Sequence, residues 1–129
     1  SQSIFFYGAE SSNAMQQIYY DGSDLSYSGY ANDYSVSQIL NNNTWYMITA
    51  KLVSGVAHIY VNGSEVGSGF TASAWNTSSG GGCFGRQNCS TSSYPLNGTV
   101  KYTGVWNRAL NGSEINQLYN SGSGLSYPF

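Results

Sequence analysis

Trp45–Gly69, WYMITAKLVSGVAHIYVNGSEVGSG, decides the fold class. It reads as three short strands, Tyr46–Val53, Val56–Val61 and Glu65–Gly67, joined by tight turns at Ser54-Gly55 and Asn62-Gly63. Asn-Gly is a strong hairpin signal because both central positions of a type I′ turn require positive φ. Ile59 and Val61 alternate with His58 and Tyr60, so one face of this meander enters a core and the other stays partly wet.

The flanking sequence extends the same pattern. Ile4–Tyr7 reads as a buried strand. Ala14–Tyr20 could place Met15, Ile18 and Tyr19 on a helix face, but its turn-rich flanks and aromatic pair favour a strand. Asp21-Gly22 makes a turn, Leu25–Tyr27 and Tyr34–Ile39 are further strands, and Asn41–Thr44 is a loop. Thr71–Gly82, around Trp75, and Gln87–Leu96 are long polar loops on either side of a short strand, Cys83–Arg86. Gly98–Trp106 reads as a strong strand. A helix over Gly112–Tyr119 is marked by Asn111 as N-cap and Glu114 three residues on, the spacing of a capping box. Ile115, Leu118 and Tyr119 form its apolar face, and Gly122 and Gly124 stop it. Eight or so close-spaced strands with one short helix predict an all-β, two-sheet antiparallel sandwich. Its expected core is Phe5, Ile48, Leu52, Ile59, Val61, Val100, Val105, Trp106, Leu110 and Leu118, with Leu125, Tyr127 and Phe129 of the tail docking back on it.

A chain of 129 residues suits one domain. Only 8% of residues are charged, and the net charge is -2, with two Lys and two Arg that do not cluster. Nucleic acid, which needs several grouped cations, is therefore not an expected partner. No apolar run is long enough to cross a membrane as a helix, so no membrane insertion is expected. The start, SQSIFFYGAE, lacks the pattern of a signal peptide. Cys83 and Cys89 lie in a glycine-rich, turn-prone stretch with no further Cys or His nearby. That reads as a small-loop disulfide in an oxidising compartment rather than a zinc site, or as two reduced thiols that merely lie close. Six Asn-x-Ser/Thr sequons occur, where about three would arise by chance. Asn62 and Asn111 have structural uses in a turn and a cap. Asn42, Asn76 and Asn88 are the candidate glycosylation sites, and Asn97 is the sixth.

Several motifs resemble the LamG-like jelly-roll domains of the concanavalin A-like lectin/glucanase superfamily. They are Trp45 opening a strand, the Tyr60-Val61-Asn62-Gly63 hairpin, the Gly85-Arg86 strand end, Gly98-Thr99-Val100, and Trp106-Asn107-Arg108-Ala109-Leu110 followed by Glu114-Ile115 and Leu118-Tyr119. The resemblance spans roughly residues 4–122 and implies a jelly roll with Trp45 and Trp106 in the core. It also implies a structural Arg108, satisfying carbonyls or a carboxylate at the sandwich edge. Relatives carry further strands before the first one here. The resemblance therefore implies a minimal variant or the C-terminal part of a longer protein, with Ile4–Tyr7 at an exposed sheet edge covered by a homo-oligomer partner or an upstream segment. Some relatives hold calcium at the rim, but Asp21-Gly22-Ser23-Asp24 reads better as a turn than as a site wanting 6–8 oxygens. No metal or cofactor is expected.

Glycosidases on this superfold use closely spaced carboxylates, and no two acids here have i, i+2 spacing. His58 has no nucleophile motif beside it, so an enzyme is not expected. Sugar binding instead uses exposed aromatic rings with polar neighbours. Trp75 and Tyr94, each in a long polar loop, are the candidate stacking residues, with Asn76 and Gln87 as polar partners. The competing reading of Trp75 is a plug closing the end of the sandwich. The expectation is a non-enzymatic extracellular recognition module for a glycan or a cell-surface or virion protein. The alternative is a structural component of a virion, phage tail or extracellular filament. Both place the protein outside the cell, on its surface or on a virion.

Overall fold

The structure, a computed structural model, describes residues 1–89 and 93–125. It is a two-sheet antiparallel sandwich with one α-helix. The strands are β1 (Gln2–Gly8), β2 (Met15–Tyr20), β3 (Asp24–Ser28), β4 (Asp33–Ser37), β5 (Ile48–Val53), β6 (Val56–Val61), β7 (Ser64–Thr71) and β8 (Gly82–Phe84); the helix, α1, spans Gly112–Tyr119. The large sheet has the order β4-β3-β2-β1-β8 and the small sheet β5-β6-β7.

The turns form where the sequence asks for them. Ser54 and Gly55, and Asn62 and Gly63, all have positive φ, as a two-residue hairpin turn requires. Asn62 also accepts a bond from Met47 N at 3.0 Å, which ties the turn to the start of β5. Asp21 caps the β2–β3 turn by accepting from Ser23 N, Asp24 N and the Ser23 hydroxyl. These bonds hold its carboxyl below the usual range, so the turn reading of this segment accounts for its chemistry.

The core lies between the sheets. Leu25, Tyr27, Tyr34 and Val36 from the large sheet meet Ala57, Ile59 and Val61 from the small one, with Ala72 and Trp75 closing the end. Ile48 and Leu52 pack against this cluster, half-buried. A second cluster joins Tyr60, Leu110 and Ile115, with Met47 and Leu118 against it, so α1 lies on the outer face of the small sheet. The helix start has both bonds of a capping box, and Arg108 grips Glu114 through two bonds of 2.7 and 2.9 Å.

Three expectations are corrected. Gly98–Trp106 is not a strand; Val105 is 77% exposed, and Trp45 and Trp106 are exposed rather than core. Tyr102 has φ 54°, which breaks the pleat, and at Gly104 the chain lets the Trp106 ring fold back where a side chain would collide. Lys101 sits over the rings of Trp45 and Tyr102 at 4.6 and 5.0 Å, in solvent. Second, Ile4–Tyr7 is not at a sheet edge. β8 pairs with Phe5–Tyr7, and Gly8 N, Ser3 N and Ile4 O bond to Gly81, Tyr94 and Gly85, so residues 81–85 and Tyr94 of the same chain cover β1. Third, β7 is longer than the expected Glu65–Gly67, because pairing with β6 resumes beyond a bulge as far as Thr71. The expected docking of Tyr127 and Phe129 lies outside the described residues.

Candidate functional site

Directly opposed residues in an antiparallel ladder share a face. The registers Ser3↔Tyr19, Phe6↔Gln17, Gln17↔Ser28, Tyr19↔Ser26, Ser26↔Ser35 and Ser28↔Asp33 therefore define the outer face of the large sheet, turned away from the core. Apart from buried Phe6 it is largely polar where the inner face is apolar, yet Gln17 is only 4% exposed and Ser26 and Ser28 less. Residues 85–89 and 93–96 roof part of it. Gln17 Nε2 donates to Gln87 Oε1 at 3.3 Å, and Ser3 N donates to Tyr94 O at 2.9 Å. The Cys83–Cys89 disulfide ties the start of this roof to β8.

Between roof and sheet lies an open groove of about 280 Å³. Gln17 and Ser28 contribute to its floor, Gln87 to a wall, and Tyr19, Tyr30 and Tyr94 offer rings. Tyr30 is 42% and Tyr94 51% exposed. The polar groups are held in place by one another. Gln87 Nε2 donates to Glu10 Oε1, and the other Glu10 oxygen accepts from Asn88 Nδ2 at 2.7 Å. The Ser28 hydroxyl donates to Asp33 Oδ1 at 2.5 Å and accepts from Tyr30 N at 3.1 Å. That chain pins the β3–β4 turn, where Tyr30 and Ala31 both have φ 66°. Tyr94 has φ 48°. Left-handed backbone costs a side-chain-bearing residue about 1–2 kcal/mol, so these tyrosines are held in place by the surrounding bonds rather than by their own preference.

Of the sequence candidates, Tyr94 and Gln87 meet in this groove; Trp75 and Asn76 do not. Trp75 is 9% exposed. Its Nε1 donates to Asn32 O at 3.0 Å, and its ring meets Tyr27 edge-on at 4.9 Å between centroids. The ring fits because residue 29 is glycine: a β-carbon there would strike the indole. With its faces buried, Trp75 cannot stack a sugar; it props up the turn that carries Tyr30. Asn76 is exposed and bonds through its backbone to Asn13 O. Among the sequons, Asn42 and Asn76 are exposed, whereas Asn88 is half-buried with its amide on Glu10.

Sequence reasoning missed Tyr30, Gln17, Ser28 and Asp33. Their signal was the alternation in Asp24–Ser28 and Asp33–Ser37, where Ser26, Ser28, Asp33 and Ser35 interleave with Leu25, Tyr27, Tyr34 and Val36 and mark a polar sheet face. His58 lies on the other sheet, with Nδ1 2.6 Å from Glu65 Oε1. The hydrogen bond from His58, helped by Tyr60, lowers the Glu65 pKa. Among the described residues no three His, Cys, Asp or Glu side chains are grouped to hold a metal ion.

A family model, Laminin_G_3 of the concanavalin A-like lectin/glucanases superfamily, matches residues 1–116. The fold is similar to the 2.1 Å crystal structure of an S-layer domain-containing protein from Clostridium thermocellum ATCC 27405, with 21% sequence identity and a TM-score of 0.50. That match covers 92% of this chain and 62% of the other, so this chain spans about three fifths of the solved structure. A search of curated proteins returns no significant match.

Proposed function

The chain belongs to the concanavalin A-like lectin/glucanases superfamily, and from that premise we propose that it is a non-enzymatic extracellular module that binds glycans in the outer-face groove. One observation carries the reading: two exposed tyrosine rings, Tyr30 and Tyr94, come from separate loops to rim a groove whose polar floor is bonded in place. Sugar recognition needs an apolar ring against C–H faces and fixed polar groups for hydroxyls, and a preformed site lowers the ordering cost of binding. Glycoside hydrolysis needs two carboxylates flanking the bond, and the groove lining supplies one, Asp33. The disulfide and the uncharged polar composition favour an extracellular setting.

The reading is tested by screening the protein against immobilised glycans and repeating the screen with Tyr30→Gly. Glycine relieves the left-handed backbone, so stability should hold or rise by up to about 1 kcal/mol while binding falls at least tenfold. Binding that survives Tyr30→Gly would move the site elsewhere. A second reading, assembly into a filament or surface layer, is favoured by one feature: β5 ends the small sheet, and exposed Trp45 just before it shares Lys101 with exposed Tyr102. Analytical ultracentrifugation showing concentration-dependent oligomers, lost on Trp45→Ser, would support it.

A further inference from the structure

We propose that the groove admits neutral glycans and rejects anionic ones, and that Asp33 makes the distinction; this rests on the groove being the glycan site. Among the described residues no lysine or arginine side chain lines the groove. Of the four lysine and arginine side chains, Arg108 is committed to Glu114, Lys101 lies over Trp45 and Tyr102, and Lys51 reaches Leu110 O on the small-sheet side. Arg86 is exposed and absent from the lining. The groove has one ionisable carboxylate, Asp33, and a second, Glu10, behind its wall on Gln87 and Asn88. The remaining polar side chains, including Gln17, Gln87 and Ser28, are uncharged, and Ser1 brings its backbone amine to the lining.

Recognition of a carboxylated or sulfated sugar relies on cationic donors, which pair with such groups in charge-assisted bonds. Here the anion would instead meet a like charge in a partly desolvated cleft, where repulsion is stronger than in bulk water. A sugar hydroxyl faces the opposite situation. Asp33 uses Oδ1 for the Ser28 hydroxyl, and its Oδ2 has no partner among the described residues. A carboxylate oxygen held in place is a strong acceptor for a hydroxyl donor. The same residue therefore favours a neutral ligand and disfavours an anionic one. The stacking rings do not discriminate, since neutral and anionic pyranoses present similar C–H faces.

The experiment compares neutral oligosaccharides with uronate and sulfated counterparts of the same linkage by isothermal titration calorimetry. Because Ser1 lines one end of the groove, the Nα-acetylated chain is used, leaving side-chain charge alone in play. The neutral sugar should bind at least tenfold more tightly than its anionic counterparts. Asp33→Asn keeps an oxygen for Ser28, and it should raise the anionic affinities toward the neutral one while changing neutral binding only a few-fold. Raising the salt concentration on the wild-type chain, which needs no variant to fold, should strengthen anionic binding by screening the repulsion. Anionic binding equal to or tighter than neutral, lost on Tyr94→Ala, would overturn the selectivity while leaving the groove as the site. Anionic binding that weakens with salt would overturn it too. Failure of every glycan to bind would remove the groove reading itself, and the selectivity with it.

Discussion

Two polar loops, each with three serines and one threonine, treat their aromatic residue in opposite ways. Loop 72–80 turns Trp75 inward, whereas Tyr94 of stretch 85–96 faces outward. The difference lies in what each loop meets. Trp75 faces a cleft opened by Gly29, an edge contact with Tyr27, and the carbonyl of Asn32 that takes its N–H. A buried indole needs such an acceptor, and the β3–β4 turn provides it. Tyr94 is anchored through its own carbonyl by Ser3 N, in a left-handed conformation, with its ring left in solvent. Loop composition predicts neither outcome; the receiving surface decides.

The contrast is sharpened first by truncation. Trp75→Ala should cost about 3–5 kcal/mol in chemical denaturation, as removal of a large buried ring does, whereas Tyr94→Ala should stay within about 0.5 kcal/mol and lose glycan binding. Equal losses of stability would break the distinction. Next comes Gly29→Ala, which fills the space the indole occupies; overpacking of this kind costs about 1–3 kcal/mol. Its test is the melting curve together with Trp75 fluorescence, and an unchanged emission maximum with unchanged stability would show that the ring does not depend on that glycine. The smallest expected effect is alkaline. Burial pushes the Tyr27 hydroxyl up to about 12 from 10.0. The folded pKa is raised, so this contribution is fully present below about pH 10 and is lost as pH rises toward 12. Wild type should therefore lose stability relative to Tyr27→Phe over that interval, and parallel curves would contradict it.

Local signals were legible in the sequence because the chemistry that carries them is local. Asn62-Gly63 makes its hairpin, Asn111 and Glu114 make a capping box, and Cys83 and Cys89 are bonded. The two-sheet class followed from those hairpins, and the family motifs pointed to the same superfamily as the model that matches residues 1–116. What stayed hidden depends on contacts far apart in the chain. Residues 81–85 and Tyr94 return to cover β1, which no short-range pattern announces. Gly98–Trp106 has strand-forming side chains, but Tyr102 and the ring packing at Gly104 bend it out of any ladder. The groove was half legible. Tyr94 and Gln87 stood out as loop residues, whereas Tyr30 carries no local signal; its place at the rim depends on Ser28 and Asp33 pinning the turn.

The central claim, that the outward ring and not the inward one serves recognition, is tested most directly by a crystal structure of the protein with a bound neutral oligosaccharide. The account predicts a sugar ring against Tyr30 or Tyr94, with hydroxyls on Asp33 or Gln17. Sugar density on loop 72–80, or against the Trp45 and Tyr102 surface, with the outer-face groove empty, would contradict it.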